Sequence, residues 1–194
     1  MTPAIIDREA IHPLFPTHLH TADFWEQLGR TIATFGFLED TLAKAIFAFT
    51  ATTKYSEVEA QKVLEKWPSV LENAMIETLH RLAKIYGQVV RDHHDADVKN
   101  VSDLVDNIKQ AADIRNALCH GLWQAPEPSG KSPLSYFNNK MEKFDTPIDV
   151  AWLKKVQNHV VTISCDVIDS VAVMGWQFPG GTGPGSPIWA EVGE

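Results

Sequence analysis

The chain has 194 residues, 44% hydrophobic and 22% charged, which is the usage of an ordinary globular protein. Its net charge of −8 argues against a broad, non-specific nucleic-acid surface, although a small local basic site fits within it. No stretch approaches about 18 uninterrupted apolar residues, and the N-terminal MTPAIIDREAIHPLF has no apolar core of useful length, so neither a membrane span nor a signal peptide is expected.

Residues 1–20 hold three prolines and read as an irregular lead-in. Thr21 or Asp23 can cap a long first helix that runs to about Thr50. Its apolar stripe is Trp25, Leu28, Ile32, Phe35, Leu42, Ile46 and Phe49, with Glu39 lying in the seam. Ser56 with Glu59 resembles a capping box that opens a short helix ending near Trp67-Pro68. A second box, Ser69 with Glu72, starts a helix with stripe Leu71, Met75, Leu79, Leu82, Ile85, Val89, which fades in the polar stretch Arg91 to Lys99. Asn100 can cap the next helix.

That next helix carries the most informative run of the chain, Asp113-Ile114-Arg115-Asn116-Ala117-Leu118-Cys119-His120-Gly121. Read backwards, its stripe is Leu122, Leu118, Arg115, Ala111, Ile108, Leu104, so a guanidinium stands where an apolar residue belongs. A guanidinium cannot be deprotonated and is costly to desolvate alone, so either a carboxylate meets it or it opens onto a polar cleft. Asn116 and His120 are four apart and share a face adjoining the arginine stripe. Gly121 follows, the usual residue just past a helix end. Two readings stay open. In one, Arg115 holds phosphate oxygens and His120 moves a proton. In the other, Arg115 makes a structural ion pair while Asn116 and His120 finish a helix. The misplaced carboxylate Glu39 and the misplaced Arg115 suggest that the two meet as a pair.

Beyond the run, Gly, Pro and Ser cluster at Pro126 to Pro133 between two short extended runs, which reads as a hairpin or a long loop. Thr146-Pro147 gives an N-cap followed by proline at the first helical position. The last helix has stripe Leu153, Val156, Val160, Ile163, Val167, Val171, Met174. After Gly175 the glycine- and proline-rich tail cannot continue a helix. The expected architecture is all-α, with four main helices, one extra short helix and a hairpin or loop before the last helix. The expected divisions are a lead-in over 1–20, a helical domain over 21–175 and a tail over 176–194.

With four helices and Arg-Asn-x-x-x-His at the end of the third, the chain resembles a HEPN domain, an all-α bundle whose members include metal-independent ribonucleases of toxin–antitoxin and phage-defence systems. Others bind nucleotides or have lost activity. Arg115 matches the family arginine, Asn116 the polar residue, His120 the histidine, and Glu39 the acidic residue often found on the first helix. The resemblance covers roughly residues 21–175 by pattern and rests closely on 115–120. It implies a homodimer whose two motifs face one cleft. In that cleft His120 would take the proton of a ribose 2′-hydroxyl and Arg115 would stabilise the transition state. Asn116 would hold the imidazole or a phosphate oxygen. The products would be a 2′,3′-cyclic phosphate and a 5′-hydroxyl. RNA is the implied substrate, an antitoxin or regulatory protein an implied partner, and no metal or cofactor is required. A non-catalytic dimeric interaction or nucleotide-binding module is the competing expectation, favoured by the acidic balance.

Other constellations carry less. His93-His94-Asp95-x-Asp97 reads as a solvated inter-helix loop, since a metal phosphohydrolase would need further ligands such as His80 and Asp166 that no spacing supports. His18-x-His20 reads as surface. Cys119 and Cys165, each in an apolar helical run, read as buried thiols of a reducing, cytoplasmic compartment. Trp25 and Trp67 are assigned to the core, and Trp123, Trp176 and Trp189 to core or interface.

Overall fold

The computed structural model describes residues 6–56, 58, 60–63, 65, 77–183 and 185. Four long helices are found among them: α1 (Ala22–Thr52), α2 (Leu79–Asp92), α3 (Val101–His120) and α4 (Val150–Ala172). Between α3 and α4 lies a small hairpin, β1 (Leu122–Trp123) and β2 (Leu134–Ser135). The protein is mostly helical, as its periodicity predicts. The capping boxes at Ser56/Glu59 and Ser69/Glu72, with Trp67, Trp189 and most of the final tail, fall wholly or partly outside the described residues.

The first helix starts where the sequence says it should. Thr21 Oγ1 accepts from the Phe24 N–H at 3.3 Å, satisfying one of the free donors of the first turn. Its buried face differs from the expected stripe in the N-terminal half. Phe24, Gln27, Thr31, Phe35, Leu38, Leu42, Ala45, Ile46 and Phe49 are buried, while Trp25, Leu28 and Ile32 only flank the core. The seam therefore passes through Leu38, fully buried, and Glu39 is displaced to its half-buried edge. The cause is polar. Gln157 of α4 donates through Nε2 to Gln27 O at 3.2 Å and to Thr31 Oγ1 at 3.1 Å, so two polar residues of α1 can face inward.

The last helix buries Leu153, Val156, Val160, Ile163, Val167 and Val171, the expected stripe, with Met174 packed at its end. Its start is corrected from Thr146-Pro147 to Asp149, whose Oδ1 accepts from the Trp152 N–H at 2.7 Å. Residues before it are held extended because Ile148 and Ser132 exchange two backbone hydrogen bonds, at 2.8 and 2.9 Å. The helix α2 turns Leu79, Leu82, Ala83, Tyr86 and Val90 inward, so Ile85 and Val89 are flanking rather than central. Asn100 does sit at the N-cap of α3, but in the left-handed region (φ 57°) and without a side-chain cap bond. The hairpin forms as expected, pairing Leu122 with Ser135 and Trp123 with Leu134 around a turn in which Gly130 takes φ 79°.

Both cysteines correct the expectation of burial. Cys119 and Cys165 are free and exposed. Each follows a buried residue, Leu118 and Ser164, and one residue is about 100° of helix, enough to turn the thiol outward. The final segment Trp176 to Phe178 returns to the bundle, with both aromatic rings against the core. No helix among the described residues is long and apolar enough to cross a membrane.

Candidate functional site

The helix α3 buries Leu104, Val105, Ile108, Ala111, Ala112, Ala117 and Leu118, which fixes its rotation about its own axis. Arg115 falls in line with that buried stripe, four residues after Ala111 and three before Leu118, yet is only half-buried. Asn116 is half-buried beside it, and His120 is exposed in the last turn. The Arg115 guanidinium donates from Nη1 to Asn116 Oδ1 at 3.3 Å. Asn116 lies about 40° from His120 around the helix, one turn before it. The three residues thus form a linked edge: a cation, an amide that accepts from it, and an imidazole at the helix end.

The expected pair of Glu39 with Arg115 is not formed. Among the described residues neither side chain takes part in an ion pair. The reason is the shifted seam of α1, which sends Leu38 rather than Glu39 to the centre of the core. Among the described residues Arg115 is consequently a half-buried cation with no carboxylate in ion-pair reach, bonded to the neutral amide of Asn116.

Gly121 follows the motif for a reason other than the expected one. Its φ is −74°, so no left-handed cap is made. Instead the chain passes close to the hairpin. A Cβ at Gly121 would lie 2.6 Å from Leu134 Cδ1 and 2.6 Å from Ala117 O. The hairpin therefore sits directly on the end of α3, and Trp123 is carried into an aromatic cluster with His20, Phe24 and Trp25. The His20 ring is stacked on Phe24 at 4.5 Å and meets Trp25 edge-on at 5.0 Å. His20 Nε2 is joined to Ser132 Oγ at 2.8 Å. His20 is thus half-buried and structural rather than a free surface group, and burial lowers its pKa from the usual value.

A pairing that the sequence does not announce lies next to the motif. His80, near the start of α2, donates from Nε2 to Asp113 Oδ1 at 2.9 Å, and both side chains are open to solvent at 41% and 59%. A separation of 33 positions hides this pairing from any local pattern. A groove of about 660 Å³ runs along α2 from this point, edged by His80, Arg81, Lys84 and Gln88. The larger cleft, about 710 Å³, lies at the other end of α3, where Asp97, Asp103, Asp166 and Asp169 line it with Lys99. Its carboxylates would repel a polyanion.

The His-Asp cluster of the α2–α3 loop is committed to structure. His93 is buried, against the expectation of a solvated loop, while His94, Asp95 and Asp97 are exposed. The His93 Nδ1 accepts from the Asp95 N–H at 3.2 Å and its Nε2 bonds Thr52 Oγ1 at 3.0 Å. Asp95 pairs with Lys54 at 2.8 Å. No group of three or more His, Cys, Asp or Glu side chains among the described residues is placed to hold a metal ion.

These features define an all-α protein with a polar Arg-Asn-His edge at the end of its penultimate long helix. Comparison with protein-family models, with curated proteins and with solved structures found no match to this chain.

Proposed function

We propose that the protein is a metal-independent endoribonuclease of HEPN type that works as a homodimer on RNA. The observation that carries this reading is Arg115, in no ion pair among the described residues and bonded to Asn116, one turn from an exposed His120. A structural arginine in a core stripe would be expected to hold a carboxylate; this one meets none among the described residues and can take an anion from outside. The order of the helices, with the motif at the end of the one before last, supports the same reading.

In this mechanism His120 removes the proton of a ribose 2′-hydroxyl. The oxygen attacks the adjacent phosphorus, and Arg115 offers its guanidinium to the non-bridging oxygens as charge builds on them. Asn116 orients the guanidinium through its Oδ1 and keeps its amide N–H groups for the phosphate. A second protomer would double the local cation density without altering the rest of an acidic surface. A regulatory protein or antitoxin would act by covering this edge, and Glu39 takes no direct part.

The test is incubation of the purified protein with single-stranded RNA in excess chelator, with mass analysis of the ends. Cleavage leaving 2′,3′-cyclic phosphate, resistance of DNA, and a loss of about 10²–10⁴-fold in His120→Ala are expected. Full activity in a folded His120→Ala protein would defeat the mechanism. A second reading, a non-catalytic dimeric interaction module, is favoured by the acidic cleft of Asp97, Asp103, Asp166 and Asp169, which suits a basic peptide better than a nucleic acid.

A further inference from the structure

Cleavage by 2′-hydroxyl attack needs two proton transfers, and within one protomer the Arg-Asn-x-x-x-His motif supplies one imidazole. We propose that His80, held by Asp113, is the second catalytic residue of the same site, protonating the 5′-oxygen as it leaves. This rests on the ribonuclease reading above and adds the identity of the acid.

The geometry runs along one face of α3. Asp113 and His120 are seven residues apart, so they point within about 20° of each other, separated by a rise of about 10 Å. Asn116 lies between them, about 60° from Asp113 and about 40° from His120, and Arg115, which leaves the helix about 160° round from Asp113, reaches that face through its Nη1 bond to Asn116 Oδ1. The order along the helix is therefore His80 on Asp113, then the Arg115–Asn116 pair, then His120. A phosphodiester held by Arg115 and Asn116 would have one imidazole on each side. In-line displacement requires this arrangement, because the entering 2′-oxygen and the leaving 5′-oxygen stand on opposite sides of the phosphorus.

The chemistry of His80 fits the role. Its Nε2–H is donated to Asp113 Oδ1, which fixes the ring and leaves Nδ1 as the ring nitrogen not engaged by Asp113. A carboxylate behind a histidine sets the orientation of its ring. Both side chains are open to solvent, so a substrate can reach them. The groove that begins at His80 gives the leaving strand a path, with Lys84 along its edge and in no ion pair among the described residues. The step balances without a co-reactant. His120 takes the 2′-hydroxyl proton, the O2′–P bond forms, the P–O5′ bond breaks, and O5′ receives the Nδ1 proton of His80. The two histidines end with their protonation states exchanged, and solvent restores them.

Two substrates separate the roles. One is a single-stranded RNA, whose 5′-alkoxide needs a proton to leave. The other is uridine 3′-(4-nitrophenyl phosphate), whose nitrophenolate leaves without one. His80→Ala is expected to slow RNA cleavage by about 10²-fold or more and to recover most of its rate on the aryl ester. His120→Ala should slow both substrates. His80→Gln, which can still bond Asp113 but cannot transfer a proton, should behave as His80→Ala does, with an unchanged circular dichroism spectrum. Equal slowing of His80→Ala on both substrates, rescue by His80→Gln, or undiminished RNA cleavage would overturn the proposal while leaving the ribonuclease reading standing. Cleavage of neither substrate by the wild type would overturn both.

Discussion

The phenolic hydroxyl of Tyr86 donates to Ser170 Oγ at 2.8 Å inside the core, joining α2 to α4. Ser170 in turn donates to Val167 O at 2.6 Å, so the chain of donors ends on a helix carbonyl. Burial pushes the Tyr86 phenol up to about 12. Tyr86→Phe removes one buried hydrogen bond without leaving a charge, and should cost about 0.5–1.5 kcal/mol in thermal or urea unfolding. Ser170→Ala leaves the phenol without its acceptor and should cost more, about 1–3 kcal/mol.

Stability should fall on mild acidification, and His93 should be part of the cause. Its Nδ1 is occupied as an acceptor by the Asp95 N–H, which fits only the neutral ring. Burial lowers its pKa below the ordinary 6.5. The unfolded chain takes up a proton near 6.5 while the folded chain resists it. The contribution is therefore fully present above that value and is lost as pH falls below it. Unfolding midpoints from about pH 7.5 to about 5.5 should decline, and decline less steeply in His93→Gln; His20, shifted the same way, keeps part of the slope.

Glu39 and Leu38 should behave oppositely under truncation. Leu38 is fully buried, and Leu38→Ala should cost about 2–5 kcal/mol in denaturant unfolding. Glu39 is half-buried and forms no ion pair among the described residues, so Glu39→Ala should change stability by no more than about 0.5 kcal/mol. A loss of several kcal/mol in Glu39→Ala would restore the Arg115 pairing that the side-chain positions speak against.

Both thiols should titrate in the folded protein. A dithionitrobenzoate assay without denaturant is expected to count Cys119 and Cys165 together, since both are exposed. Bound RNA should protect Cys119, beside His120, and leave Cys165 reactive. Equal protection of both would place the nucleic acid elsewhere.

Much of this was legible in the sequence, and what was not has a common cause. The α4 stripe is uninterrupted from Leu153 to Val171, so its burial follows from periodicity alone. On α1 the apolar residues Trp25, Leu28 and Ile32 outweigh Gln27 and Thr31 by any local measure. Yet the polar pair is buried because Gln157 bonds it from α4. Thr146-Pro147 carries a good cap signal, and the Ser132–Ile148 backbone exchange overrides it. At the candidate site, Arg115, Asn116 and His120 were visible because they sit within one and a half turns of a single helix. Their ordering partner was not. Glu39 misfits a periodic stripe whose true seam passes through Leu38, and His80 meets Asp113 only through the packing of α2 on α3.

The absence of a side chain at Gly121 leaves no slack between the motif helix and the hairpin. Leu134 and the Ala117 carbonyl already occupy the space where a Cβ would go. A side chain added there would have to swing His120 or lift the hairpin with its Trp123 out of the aromatic cluster. Changes in length between α3 and β2 can instead be absorbed at the exposed tip from Glu127 to Gly130. A short epitope or fluorophore attachment site grafted at that tip would report on the protein while leaving the Arg-Asn-His edge undisturbed. The same graft at the glycine would not.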